Sequence, residues 1–293
     1  MNLSLTVLNI TAPVFLLAAV GFAWVKLGFE YRVEFVTRMA MTLAVPCLIL
    51  VALMKTDVDP EALAALSLAS LAAYGLVMIG CFALVKAAKL DTQTYLAPLI
   101  FGNTGNLGLP LALFAFGETG LGYAGVVFAV MAILSFTVGI WMVAGSGSLK
   151  RVVKEPLVAA TLLGALFLWQ GWETPEFLTN AIELIGQMAI PMMLITLGVA
   201  VARLKTDAMT QAVWLSAVKV IICVAAAWFA AGWFGLEPVA AGVLILQVAT
   251  PVAVTSYLLA EKYGADAQPV AGFVVASTLL SVVALPLILA FVI

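Results

Sequence analysis

Residues 102–110 read Gly-Asn-Thr-Gly-Asn-Leu-Gly-Leu-Pro, and they lie inside an apolar stretch, Thr94 to Phe116, long enough to cross a bilayer. The chemistry such a run offers is recognition rather than bond making. It supplies neutral side chains that donate and accept hydrogen bonds, and backbone N–H groups released where glycines and a proline stop a helix. A spanning helix satisfies its backbone internally, so a polar break at mid-depth belongs where it lines a cavity enclosed by protein. A second break, Gln247-Val248-Ala249-Thr250-Pro251, interrupts the apolar stretch Leu244 to Ala260. Proline fits the first position of a helix. Pro110, after Gly105 and Gly108, and Pro251, with Thr250 as N-cap, are therefore expected to open second half-helices. Each such N-terminus presents unpaired N–H groups and roughly half a positive charge, which suits a carboxylate. The candidate substrate-binding residues are Asn103, Thr104, Gly105, Asn106, Thr250 and Gln247, with Gly108, Pro110 and Pro251 as hinges.

The same residues admit a structural reading, in which glycines let helices pack closely and asparagines bond across them as glue. Two asparagines, three glycines and a proline within nine residues, matched by a second break, favour the site. Lys219 joins the candidates because it falls in the middle of a span, where an ammonium is expensive unless it meets a partner or water. It offers a fixed positive charge to an anion, or it bonds backbone carbonyls as a structural lysine. The acids lie elsewhere: Glu118, Glu183, Glu237 and Glu261 near span ends, and Asp57, Asp59, Asp91, Asp207 and Asp266 in or beside loops. No carboxylate is thus placed to carry a cation or proton at the centre, and an anionic substrate fits better. Arg38 reads as a snorkelling anchor. Ser256, Thr255, Ser277, Thr278 and Ser281 are path-lining candidates, although bonding to their own helix carbonyls is the commoner fate.

These residues need spanning helices to position them. The 293-residue chain is 65% hydrophobic and 10% charged, with no histidine and a net charge of −2; its mean hydropathy is +1.20. That composition describes a polytopic membrane protein and excludes a basic nucleic-acid surface. Cys47, Cys81 and Cys223 lie singly in apolar spans, so no metal or cofactor is expected. An intramembrane enzyme would need a nucleophile with its base, a metal site or paired deep aspartates, and none is present. No Lys or Arg precedes the first apolar run, so that run is expected to remain as a span rather than leave as a signal peptide.

Hydropathy gives ten spans, at roughly 6–25, 35–53, 61–85, 93–117, 121–143, 156–171, 181–202, 209–233, 238–260 and 267–291. Of the 13 cations, 11 fall in alternate loops, Lys55 lies on the opposite side, and Lys219 is within a span. The positive-inside rule then puts both termini outside the cytoplasm of an inner-membrane protein, with Gly145 to Glu155 as the longest cytoplasmic connection. This yields a first repeat over 1–143, a linker over 144–155 and a second repeat over 156–293.

The halves echo one another. Pro13 and Gly21 recur as Pro156 and Gly164, and Ala44-Val45-Pro46 through Leu50 recurs as Ala189-Ile190-Pro191 through Ile195. Lys55-Thr56-Asp57 returns as Lys205-Thr206-Asp207, and Gly117 with Ala124-Gly125 as Gly264 with Ala271-Gly272. Five spans per unit invert the second copy, the plan of secondary transporters, and Asn103 falls opposite Thr250.

Gly102 to Leu111 resembles the N-[ST]-G-x-x-G-[IL]-P signature of the auxin efflux carrier family, the bacterial relatives of plant PIN proteins. Ala249-Thr250-Pro251-Val252-Ala253, followed by Tyr257-Leu258-Leu259-Ala260 and Tyr263-Gly264, looks like that family's second crossover. The resemblance implies an all-α fold of ten spans as a 5+5 inverted repeat. It implies a scaffold of spans 1, 2, 6 and 7, a transport domain of spans 3–5 and 8–10, elevator motion, and a homodimer in the lipid bilayer. Its substrates are organic anions such as auxin, malate or malonate, with Asn103, Pro110 and Pro251 carried over. Asn106 stands where many relatives carry a bulky apolar residue, which favours a small or dicarboxylic acid over auxin. The expected function is an efflux carrier of small organic anions. The alternatives are a sodium-coupled importer of such anions and, in another class, a non-transporting receptor or intramembrane enzyme.

Overall fold

The computed structural model describes residues 3–55, 60–144, 156–203 and 209–293. Among these, the fold is helical apart from one isolated bridge. The first half comprises α1 (Leu3–Lys26), α2 (Val33–Met39), α3 (Val45–Lys55), α4 (Pro60–Ala87), α5 (Thr92–Ile100), α6 (Leu109–Leu134) and α7 (Ile140–Ala144). Three π-helical turns interrupt it, at Ala40–Ala44, Thr104–Gly108 and Ser135–Gly139. The second half comprises α8 (Pro156–Gln170), α9 (Glu176–Gln187), α10 (Ala189–Arg203), α11 (Met209–Trp233), α12 (Pro238–Val248), α13 (Val254–Tyr263) and α14 (Ala267–Val292). The expected linker after Ala144, and the Thr56-Asp57 and Lys205 to Asp207 repeat motifs, lie outside the described residues.

Among the described residues six helical runs are long and apolar enough to span a membrane, and Pro238–Val248 is a shorter apolar helix. Helices broken in mid-membrane fall short of a span by length: the 11 residues of α12 rise only about 16 Å. The longest run, Thr104–Val143, doubles back at Gly117, whose φ of 66° and ψ of −157° are not helical. A Cβ built on Gly120 would stand 2.7 Å from the carbonyl oxygen of Ala112, eight residues earlier. On a straight helix those residues would be about 12 Å apart, so 109–116 and 118–134 are two arms.

α1 packs along α10, α3 along α8 and α9, and α4 along α11, which also carries α12 and α14. Lipid tails are as apolar as leucine, so this packing rests on close van der Waals contact rather than on escape from water. Outward-facing side chains such as Ile79, Ile221, Val283 and Leu287 are exposed and apolar, as a lipid-facing belt requires. Trp24, Trp172 and Trp233 stand at or just beyond helix ends.

Candidate substrate site at the crossing of two broken helices

α5 ends at Ile100, and the chain runs extended through Phe101 before turning again at Thr104. α12 ends at Val248, and Thr250 to Val252 run irregularly to α13. The two breaks meet: Gly102 and Val252 form an antiparallel bridge, and Asn103 N donates to the Pro251 carbonyl at 2.6 Å. Only glycine allows this approach. A Cβ on Gly102 would lie 2.9 Å from the Thr250 carbonyl oxygen and collide with the Thr250 hydroxyl, and one on Gly108 would lie 2.9 Å from the Gln247 amide carbon.

Several backbone groups of the second break have partners, as non-helical chain buried in an apolar interior requires. Thr250 N donates to the Gln247 carbonyl at 3.3 Å, and Val252 N donates to Ser277 Oγ at 3.0 Å. Pro251 has no N–H to satisfy. The Thr250 carbonyl accepts from Lys219 Nζ at 2.8 Å.

Two helix starts differ from the sequence expectation. Pro110 does not open its half-helix; Asn103 does, as N-cap of the π-turn, with its Oδ1 accepting from Asn106 N at 3.2 Å. Pro110 lies within the first two positions of the α6 that follows. A side-chain cap releases the chain from extended geometry earlier than proline needs to. Thr250 does not cap α13: its hydroxyl donates back to the Gln247 carbonyl at 2.7 Å, and Ala253 is the N-cap. Ala253 is extended, with φ −68° and ψ 139°, so α13 starts beyond Pro251 rather than at it.

Both N-terminal ends border one cavity of about 340 Å³. Gly102, Asn103, Gly105 and Asn106 line it from the first break, and Ala253 and Ser256 from the second. The rest of the wall is mostly apolar, including Met41, Phe101, Phe128 and Met131, and among the described residues no lining side chain is charged. Each of the three π-turns contributes to this wall, through Met41, Gly105 with Asn106, and Ser135 with Gly139. π-turns inside helices are frequent at functional sites because they displace one residue from the regular face.

Thr104, Thr250, Gln247 and Lys219 are buried in the crossing but do not line the cavity. Thr104 Oγ1, both amide atoms of Gln247 and Asn103 Nδ2 are buried without hydrogen-bond partners among the described residues. Gly108 and Pro110 are buried on the first broken helix, away from the cavity wall. Ser277 donates to its own helix at Val274 O while accepting from Val252 N across helices, whereas Thr278 and Ser281 bond only their own helix, at Val274 O and Thr278 O; the Thr255 side chain lies outside the described residues. Arg38 pairs with Glu34 on an exposed face.

Sequence reasoning did not find Met41, Phe128 or Ser135. Apolar and small residues in an apolar chain carry no local signal, and these come from separate helices. At one end of the cavity Thr94 ties the start of α5 to that of α14: its N donates to the N-cap Asp91 Oδ2 at 2.8 Å and its Oγ1 accepts from Asp266 N at 3.3 Å. The Thr94 side chain first, and then the backbone N–H groups of Thr94 and Gln93, hold the Asp91 carboxyl below its ordinary pKa against the opposing effect of burial.

The family model described as "Membrane transport protein" matches residues 6–152 and again 146–289. A protein of Rhizobium meliloti (strain 1021) named as a malonate transporter is 24% identical over 196 residues, covering 62% of this chain and 61% of its own. An uncharacterized transporter of Methanocaldococcus jannaschii is 26% identical over 199 residues, covering 64% of each. The chain therefore aligns with less than two thirds of either relative's length. The match spans both halves, and the chain belongs to the membrane transport protein family, the auxin efflux carrier family its crossover motif resembles.

Proposed function

We propose that the protein is a secondary carrier that exports small organic anions through the cavity at the crossing. The observation that carries this reading is the pair of helix N-termini bordering one cavity with no charged lining residue among those described. Asn103, Gly105 and Asn106 bring the start of the first half-helix to the wall, where the first-turn N–H groups have no partner within their own helix and suit a carboxylate. Phe101, Phe128, Met41 and Met131 accept the rest of a compact acid. Malonate, the dicarboxylate in the Rhizobium meliloti relative's name, heads the list of substrates to try.

Ten spans arranged as a 5+5 inverted repeat account for the paired breaks. Reciprocal packing supports this: α1 lies against α10 while α8 lies against α3. A Cβ on Gly21 would collide with the Ile195 carbonyl in α10, and one on its sequence counterpart Gly164 would lie 2.8 Å from Leu53 Cδ1 in α3. Spans 1, 2, 6 and 7 serve as a scaffold and the others as an elevator-like moving unit, in a homodimer of the inner membrane. Thr37 and Met41 bring span two to the cavity, so the wall includes both units. Gln93, Thr94 and Val143 lie at the end nearest the cation-bearing loops. By the positive-inside rule that end is cytoplasmic, with both termini outside. An inside-negative potential contributes about 2.3 kcal/mol per charge per 100 mV to anion export.

Counterflow in proteoliposomes against a panel of mono- and dicarboxylates tests the reading. At least one labelled acid is expected to exchange, and Asn103→Ala to abolish exchange. Failure of folded protein to move any acid overturns it.

A further inference from the structure

Lys219 is the one charged side chain among the buried described residues, with 0% of its surface exposed. The ion pairs drawn between described residues, Arg32–Glu30 and Arg38–Glu34, are exposed, and no carboxylate among the described residues joins Lys219. Its ammonium donates to the Thr250 carbonyl at 2.8 Å and has Cys223 Sγ at 3.8 Å. That carbonyl stands just beyond the end of α12, where the last C=O groups have no helical partner and the dipole leaves partial negative charge. Thr250 Oγ1 and Thr250 N both converge on the Gln247 carbonyl, so the end of this half-helix is closed by donors and one full positive charge.

In carriers built on broken helices, unwound carbonyls and half-helix C-terminal ends are where a coupling cation binds. We infer that Lys219 is a tethered resident cation at this position, filling the place a mobile Na⁺ would take, so that the cycle runs without Na⁺ and removing the ammonium opens a cation site. The inference rests on the carrier reading only in speaking of a cycle. The lysine lies outside the cavity wall and holds the Thr250 carbonyl that faces Gly102. It is a positioning residue: its charge stabilises the approach of the two breaks and stays fixed while substrate comes and goes.

The test compares purified full-length wild type, Lys219→Gln, which keeps an N–H donor without charge, and Lys219→Met, which loses both. Melting midpoints are measured in NaCl and in N-methyl-D-glucamine chloride at equal ionic strength. Wild type is expected to melt alike in the two salts. Both variants are expected to melt lower and to regain about 3 °C when Na⁺ reaches ten times its dissociation constant. A wild type stabilised specifically by Na⁺, or folded variants indifferent to cation identity, overturns the inference. Should neither variant fold, carboxylate counterflow by wild type decides: unchanged rate on replacing Na⁺ supports the inference, and a tenfold fall overturns it. If wild type moves no carboxylate, the carrier reading fails while the melting comparison of wild type still judges the tethered cation.

Discussion

Replacing Gly102 by alanine strikes the closest approach in the crossing. The added Cβ would lie 2.9 Å from the Thr250 carbonyl oxygen, which is backbone and held by Lys219, so neither side yields by a simple rotamer change. Ordinary contact needs about half an ångström more, and opening the breaks by that amount stretches the bridge to Val252 and the Asn103 N to Pro251 O bond. A buried backbone donor left unpaired costs about 1–3 kcal/mol, and overpacking costs about 1–3 kcal/mol. The two overlap, because relieving the clash is what breaks the bond, so about 2–4 kcal/mol is expected. At about 2–4 °C per kcal/mol, the melting midpoint should fall by about 5–15 °C, with loss of transport. Gly75→Ala is the control: it lies within α4, where an added methyl would meet nothing within 4 Å, and helix propensity favours alanine by about 1 kcal/mol. Tryptophan fluorescence of detergent-purified protein during heating reads both. A Gly102→Ala protein that melts within about 1 °C of wild type and transports normally would refute the claim that backbone contact holds the site together.

Asn103→Asp keeps the cap acceptor for Asn106 N but replaces the amide donor by a buried negative charge, so anion exchange should disappear and the melting midpoint should fall; Asn103→Ala loses both the acceptor and the donor, with about 1 kcal/mol of stability. Equal transport by wild type and Asn103→Asp in counterflow would count against an anion at this point. Ser277→Ala removes the acceptor for the buried Val252 N–H and should lower the melting midpoint by the equivalent of about 1–3 kcal/mol, whereas Ser281→Ala, which loses only a bond to its own helix, should change it little. Asp91 has a depressed pKa in the fold, so its contribution is fully present above the ordinary carboxylate value near 4 and is lost as pH falls through its lower folded value. Melting curves of wild type and Asp91→Ala should therefore converge below about pH 4, and a gap unchanged down to pH 2 would contradict the capping role.

Membrane class, the two breaks and their likeness were legible in the sequence because each is local or periodic. An apolar run of spanning length has few other fates, and Gly, Asn and Pro interrupt a helix wherever they cluster. The same locality misled the reading of helix starts. Proline at Pro110 and Pro251 signals where a helix is permitted to begin, while the helices in fact start from the caps Asn103 and Ala253. Tertiary structure alone decided that Asn103 and Asn106 reach the cavity while Thr104, Gln247 and Thr250 turn into the crossing, since an unwound segment has no period from which to read a face. It also decided that Lys219 reaches the Thr250 carbonyl, 31 residues away in the chain, and that Met41, Phe128 and Ser135 complete the wall. Those meetings depend on how helices distant in sequence pack, and in an almost uniformly apolar chain packing is set by shape, which no single residue announces.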